Sequence, residues 1–308
     1  MTPSPDAVGI GSFACAFGDL ECKPEDIPGF DALWSAESSD ADFATMGCGS
    51  FRKMTGPAET YVVDCVRRTL EHHGASPADV DRIVFATTDA CLARLGRDFA
   101  LTVLQTVGLV DCVPVVLSFQ QCCSSLAALA YGWELFSDPA VDNVVVVSVD
   151  FTTDDSDRVR SFALFSDAAV SCLISRTGES RLRLVSSAVH VDFAGLVGRD
   201  SFASRQQVAQ ASYAAVLRAG GQPLDRVTKI FPTNLYKPVT LFNATVAGIH
   251  KSKLHFAETL RAYGHCANCD WMINLVDYES RVGIRPGETY LAQASAPGFF
   301  ACGLLAGI

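Results

Sequence analysis

Two adjacent cysteines, Cys122 and Cys123, stand where a strand-like run, Pro114 to Phe119, gives way to a helical run, Ser124 to Phe136. Only Gln120 to Cys123 separate the two runs, so the chain turns sharply from strand to helix. A side chain at such an elbow sits at a helix N-terminus, where unpaired backbone N–H groups and the helix dipole favour negative charge. That setting makes a thiol a better thiolate and hence a nucleophile. Cys123 directly precedes the helix and is the expected nucleophile; Cys122, one residue back, is expected to pack. The competing reading buries both as small hydrophobes. A second cluster, His265-Cys266-Ala267-Asn268-Cys269, sets a histidine beside a Cys-x-x-Cys, the spacing of a zinc or redox site. It is a single pair with no partner pair at a zinc-like spacing, so no metal is expected.

The elements that must position these groups repeat along the chain. Tyr61 to His73 has helical periodicity, stops at Gly74-Ala75-Ser76-Pro77, and leads into the strand-like Ile83 to Thr87. Val208 to Ala219 is helical in the same way, stops at Gly220-Gly221-Gln222-Pro223, and leads into Lys229 to Thr233. Two continuous apolar runs, Asn143 to Val149 and Ala168 to Ile174, read as strands buried on both faces. These features predict an α/β protein in two duplicated halves, 1–175 carrying the cysteines and 176–308 carrying His265.

Composition narrows the function. The chain has 308 residues, 49% hydrophobic and 19% charged, enough to bury a sizeable core. A formal net charge of −10 excludes broad nucleic-acid binding, which needs clustered cations. Met1 to Phe13 lacks the basic and apolar regions of a targeting signal, and no run approaches the roughly 18 to 20 apolar residues of a membrane span. A cytoplasmic protein is expected, and its twelve cysteines read as reduced thiols.

The segment Ser118-Phe119-Gln120-Gln121-Cys122-Cys123-Ser124-Ser125-Leu126-Ala127-Ala128-Leu129 resembles the nucleophile segment of ketoacyl synthase III. Further landmarks follow in that family's order: Phe51 to Met54, Ile83 to Thr88, Leu164-Phe165-Ser166-Asp167-Ala168-Ala169 and Gly298-Phe299-Phe300-Ala301-Cys302-Gly303. The resemblance implies the thiolase fold, two similar halves in a layered αβαβα arrangement, and a homodimer. It implies no resident cofactor: the acyl group arrives as a thioester of coenzyme A or of the phosphopantetheine of an acyl carrier protein. Trp34 falls where the family often sets an aromatic beside the coenzyme's adenine. Lys237, Lys251, Lys253, Arg52 and Lys53 are candidates for a basic surface facing an acidic carrier protein.

The pattern departs from that of condensing members. Their Pro-His-Gln-Ala-Asn motif reads Phe231-Pro232-Thr233-Asn234-Leu235 here, with Thr233 where the histidine belongs; their Gly-Asn-Thr-Ser motif reads Gly264-His265-Cys266-Ala267, with His265 where the asparagine belongs. Decarboxylation needs strong donors on an enolate oxygen, and threonine is the poorer donor. A Cys and a His suffice instead for acyl transfer, with His265 as general base. Asp270, five residues on, can orient that imidazole or cap the helix that begins near Trp271. The arrangement is similar to ketoacyl synthase III-like acyltransferases and priming enzymes of polyketide and other natural-product pathways. Decarboxylative condensation and a non-catalytic partner subunit are the alternatives. The family's C-terminal oxyanion-hole turn reads Ser295-Ala296-Pro297-Gly298-Phe299; proline has no N–H, so either Gly298 donates instead or one donor is lost.

Overall fold

The protein is described from a computed structural model covering residues 8–38, 42–109, 111–178, 180–199 and 201–308. The first seven residues of the N-terminal stretch read for a targeting signal lie outside it. The strands are β1 (Gly9–Phe17), β2 (Leu20–Cys22), β3 (Phe51–Lys53), β4 (Arg82–Ala86), β5 (Val113–Leu117), β6 (Asn143–Asp150), β7 (Ala168–Ser175), β8 (Leu182–Val191), β9 (Lys229–Phe231), β10 (Thr289–Ala296) and β11 (Phe299–Gly307). The helices are α1 (Phe30–Glu37), α2 (Ala58–His73), α3 (Asp89–Leu92), α4 (Phe99–Val107), α5 (Ser124–Glu134), α6 (Phe193–Leu196), α7 (Phe202–Ala219), α8 (Lys237–Val246), α9 (Ala257–Tyr263) and α10 (Asp270–Arg281).

Among the described residues β2 and β3 form a small ribbon, and the other strands form one nine-stranded sheet, β5-β4-β6-β7-β1-β8-β11-β10-β9. The duplication is visible in that order. From its outer edge the first half runs β5, β4, β6, β7, β1, with β4 parallel to β5 and β6, and β7 antiparallel to β6 and β1. The second half runs β9, β10, β11, β8 with the same parallel-then-antiparallel pattern. Its missing outer strand survives as one parallel bridge, Ile230 to Leu254. The halves meet through one register pair, Ile10 with Leu182.

The layers follow from which faces are apolar. Every residue of β6 and β7 is buried, as their valine- and alanine-rich runs require when both sheet faces are covered. α2 turns Val62, Val63, Val66 and Leu70 inward against β1, β6 and β7 and ends at Gly74 in the left-handed region. α7 covers β8 and β11 on the opposite outside. α5 and α10 touch strands of both halves and form the middle layer, which gives the αβαβα stack of the thiolase fold. Its core joins Leu126, Leu129 and Val146 of one half to Trp271, Met272 and Tyr290 of the other. Among the described residues no helix is long and apolar enough to cross a membrane.

Leu70 is 3% exposed in the outer core beside α2. Truncating it in Leu70→Ala is expected to lower stability by about 2–5 kcal/mol, read as a lower urea midpoint with unchanged denaturant slope.

Candidate functional site

The elbow between β5 and α5 forms as expected, with one tight turn of 3-10 helix over Gln121–Cys123. Gln121 holds a left-handed backbone (φ 53°), a cost for a non-glycine residue that surrounding structure must hold in place. Its side-chain Nε2 donates to Asp89 Oδ2 at 2.9 Å.

This turn decides which sulfur faces the His265 imidazole. Cys122 Sγ lies 3.8 Å from His265 Nε2. Cys123, the expected nucleophile, is 0% exposed and sits in the central core with Leu126 and Ala301, where burial pushes its thiol up. The expected pairing is therefore reversed: Cys122 meets the imidazole and Cys123 packs. The left-handed step at Gln121 sets this one-residue register, and neither cysteine's spacing from the helix reveals it. Burial, then the charge of Asp150, push the Cys122 thiol well up. The N-terminus of α5 works in the opposite direction, favouring negative charge at this sulfur.

His265 reaches its place through a close backbone passage. Gly264 has φ 66°, and a Cβ there would lie 2.8 Å from Leu164 O. His265 N then donates to Leu164 O at 2.8 Å, and Ser166 N donates to His265 O at 2.9 Å. The Phe165 ring packs edge-on to the imidazole at 4.7 Å. His265 Nδ1 donates to Asp270 Oδ2 at 2.5 Å. Asp270 also accepts from Asn234 N at 2.8 Å and Cys266 N at 2.7 Å. A carboxylate ringed by N–H donors only accepts, so His265 Nδ1 carries its proton toward Asp270 and Nε2 is the ring atom that faces Cys122. Asp270 is the first residue of α10, not its cap, and is 1% exposed.

Asn234 carries its own scaffold. Its Nδ2 donates to Gly264 O at 3.3 Å, and its Oδ1 accepts from Asn274 Nδ2 at 2.9 Å. Asn274 in turn bonds Pro232 O and the Thr259 hydroxyl. Asn234 was visible in Phe231-Pro232-Thr233-Asn234-Leu235 as a motif member but carried no expected role. Thr233 is 3% exposed, and its Oγ1 accepts from Ser295 N at 3.0 Å, tying it to β10, which packs on the elbow.

The remaining sequence-predicted residues make other contacts. Gly298 sits in the tight β10–β11 turn at φ 74°, where a Cβ would lie 2.7 Å from Leu196 N; its carbonyl accepts from Asp192 N. Trp34 is 7% exposed and packs edge-on against Phe43 and Tyr236, so it fills a core and offers no open face for an adenine. Arg52 pairs with Glu21, Lys53 with Asp155, and the Lys253 ammonium with carbonyls of Asp225 and Val227. Lys237 and Lys251 are the exposed members of that set. The twelve cysteines are free, and Cys269 Sγ turns to the carbonyls of Ser148 and Ala168, away from Cys266. Among the described residues no three His, Cys, Asp or Glu side chains gather as a metal site. A cleft of about 860 Å³ opens beside Met54, Arg94 and Phe151, but none of Cys122, His265 or Asp270 lines it.

Because burial raises the Cys122 thiol above the ordinary thiol value of 9.0, its alkylation by iodoacetamide should keep accelerating from neutral pH through that value. Peptide mapping of the labelled cysteine checks this; a plateau near neutral pH would reveal a preformed thiolate instead.

No protein-family model matches the chain, and no curated protein sequence matches it. Solved structures do. ChlB3, described as an acyltransferase, superposes with a TM-score of 0.84 at 15% identity over 98% of each chain. The 3-oxoacyl-[acyl-carrier-protein] synthase III of Aquifex aeolicus gives 0.80 at 16% identity over 97% of this chain and 99% of its own. OleA of Xanthomonas campestris gives 0.79 at 12% identity over 97% and 98%. Likeness this distant in sequence and this complete in shape speaks to architecture: the chain has the thiolase fold in the form shared by ketoacyl synthase III, OleA and the ChlB3 acyltransferase.

Proposed function

We propose that the protein is an acyltransferase that carries its acyl group on Cys122. The observation behind this reading is the relay Cys122–His265–Asp270, with sulfur 3.8 Å from Nε2 and Nδ1 2.5 Å from a carboxylate oxygen. His265 Nε2 takes the thiol proton as sulfur attacks the carbonyl of an acyl thioester. Asp270 stabilises the imidazolium that forms. Collapse of the tetrahedral adduct expels the donor thiol, which recovers the proton from His265 and leaves a Cys122 thioester. An acceptor hydroxyl or amine, deprotonated by the same imidazole, then attacks and releases Cys122.

One feature favours this over decarboxylative condensation: Thr233 supplies no imidazole where condensing members carry their histidine. The fold's likeness to ChlB3, described as an acyltransferase, agrees. The donor would be an acyl-coenzyme A or an acyl carrier protein, as for a 3-oxoacyl-[acyl-carrier-protein] synthase III, and the setting a natural-product pathway. Half 1–175 would bring the thiol and half 176–308 the base. A homodimer is supported by β5, which among the described residues is an outer edge of the sheet with Val113 55% and Val116 41% exposed, an edge that a second copy related by a twofold axis would cover.

Intact-protein mass spectrometry after mixing with acyl-coenzyme A and acyl-carrier-protein thioesters should show one acyl adduct. It should persist in Cys123→Ala and vanish in Cys122→Ala. The reverse pattern would restore Cys123, and no adduct with any donor would favour a non-catalytic subunit. Product that forms only with malonyl thioester and releases carbon dioxide would favour condensation. Asp270→Asn should slow acylation by on the order of 10²- to 10⁴-fold through the wrong imidazole tautomer, measured as adduct formed against time.

A further inference from the structure

Asn268 belongs to the Cys-x-x-Cys turn, between the imidazole and its carboxylate, and is 0% exposed. Both ends of its side chain are held. Its Nδ2 donates to Asp150 Oδ2 at 2.9 Å, and its Oδ1 accepts from Ser125 N at 2.9 Å. Its backbone N–H also donates to Asp150 Oδ2, at 3.1 Å. Asp150 ends β6, is 4% exposed, and receives at Oδ1 the Thr88 N–H and hydroxyl, both at 2.8 Å, and the Thr87 hydroxyl at 3.4 Å.

The placement is symmetric about the site. Ser125 lies three residues after Cys122, in the first turn of α5; Asn268 lies three residues after His265. One amide therefore spans the two segments that present sulfur and imidazole, and a carboxylate at the end of β6 fixes its orientation, because an acceptor can take only the amide's N–H side. The neighbouring turn is costly to hold: Ala267 has φ 48°, left-handed for a residue with a Cβ. A gap of 3.8 Å is already near the limit of a sulfur hydrogen bond, so a small slip of the α5 start against this turn would break the proton path.

We propose that Asn268, oriented by Asp150, is a positioning residue that sets the distance between the Cys122 thiol and the His265 imidazole. This rests on the reading of Cys122 and His265 as nucleophile and base. The bridge touches no reacting atom; it acts through the backbone N–H of Ser125 and through the turn that carries His265.

The test follows acylation of the full chain by acetyl-, butyryl- and octanoyl-coenzyme A with time-resolved intact mass, giving a maximal rate and a half-saturating concentration. Asn268→Ser and Asp150→Asn should lower the maximal rate by on the order of 10²-fold, with the half-saturating concentration nearly unchanged. Leu70→Ala, which loosens the outer core without touching the bridge, should keep the wild-type rate. Wild-type rates in the two bridge variants, or an equal loss in Leu70→Ala, would overturn the proposal. Should Asn268→Ser fail to fold, Asp150→Asn, which preserves volume, decides: losing that charge alone relieves the push on the Cys122 thiol and would speed acylation, so slowing reports the bridge. If the wild type is acylated by none of the three, the acyl-transfer reading is what fails; the rate of iodoacetamide labelling at Cys122 then decides the bridge, and unchanged labelling in the variants refutes it.

Discussion

A carboxylate in the middle of the protein constrains everything around it. Asp270 is 1% exposed, and a desolvated charge costs several kcal/mol unless donors surround it. Three N–H groups do so, from Asn234, His265 and Cys266. To deliver them, the end of β9, the turn after α9 and the start of α10 must converge on one point. The amides of Asn234 and Asn274 lock that convergence, and the tight passage at Gly264 admits the His265 segment. The imidazole's tautomer, and so the direction in which it can accept a proton, follows from this desolvation requirement.

On the other side of the site the elbow faces a similar demand. β6 ends in Asp150, a second buried carboxylate, satisfied by neutral N–H and O–H donors; burial pushes its pKa up from the ordinary carboxylate value. Its neighbours come from two separate segments, Thr87 and Thr88 just after β4 and Asn268 just before α10. Polar groups in the central layer thus add to the apolar core that joins the halves there, whereas α2 and α7 lie on the sheet chiefly through apolar side chains, valine, leucine and tyrosine among them. Networks of this kind specify one arrangement because each unpartnered member would be expensive.

Much of this was legible in the residues. The continuous runs of β6 and β7, the helix-stop-strand repeat, the abrupt β5–α5 passage and the His265–Asp270 spacing all carry local signals, since periodicity and turn chemistry are local properties. What stayed hidden depends on geometry between segments. Choosing between Cys122 and Cys123 requires the backbone angle at Gln121, which no side-chain pattern encodes. Trp34 has the composition of a stacking platform, yet Phe43 and Tyr236 close over it from distant segments. The outer strand of the second half shrinks to one bridge at Leu254, too short to leave an alternating pattern. Asn268 looked like part of a metal-binding spacing because its partners lie 118 and 143 residues away.

The halves share a single register pair, Ile10 with Leu182, yet the sulfur and the imidazole that meet between them are 143 residues apart in the chain. Contacts of such long range close late, since loop entropy must be overcome before they are rewarded. The contact between the Cys122 sulfur and the His265 imidazole is therefore a property of the finished packing of the elbow against the turn before α10, and neither segment makes it alone.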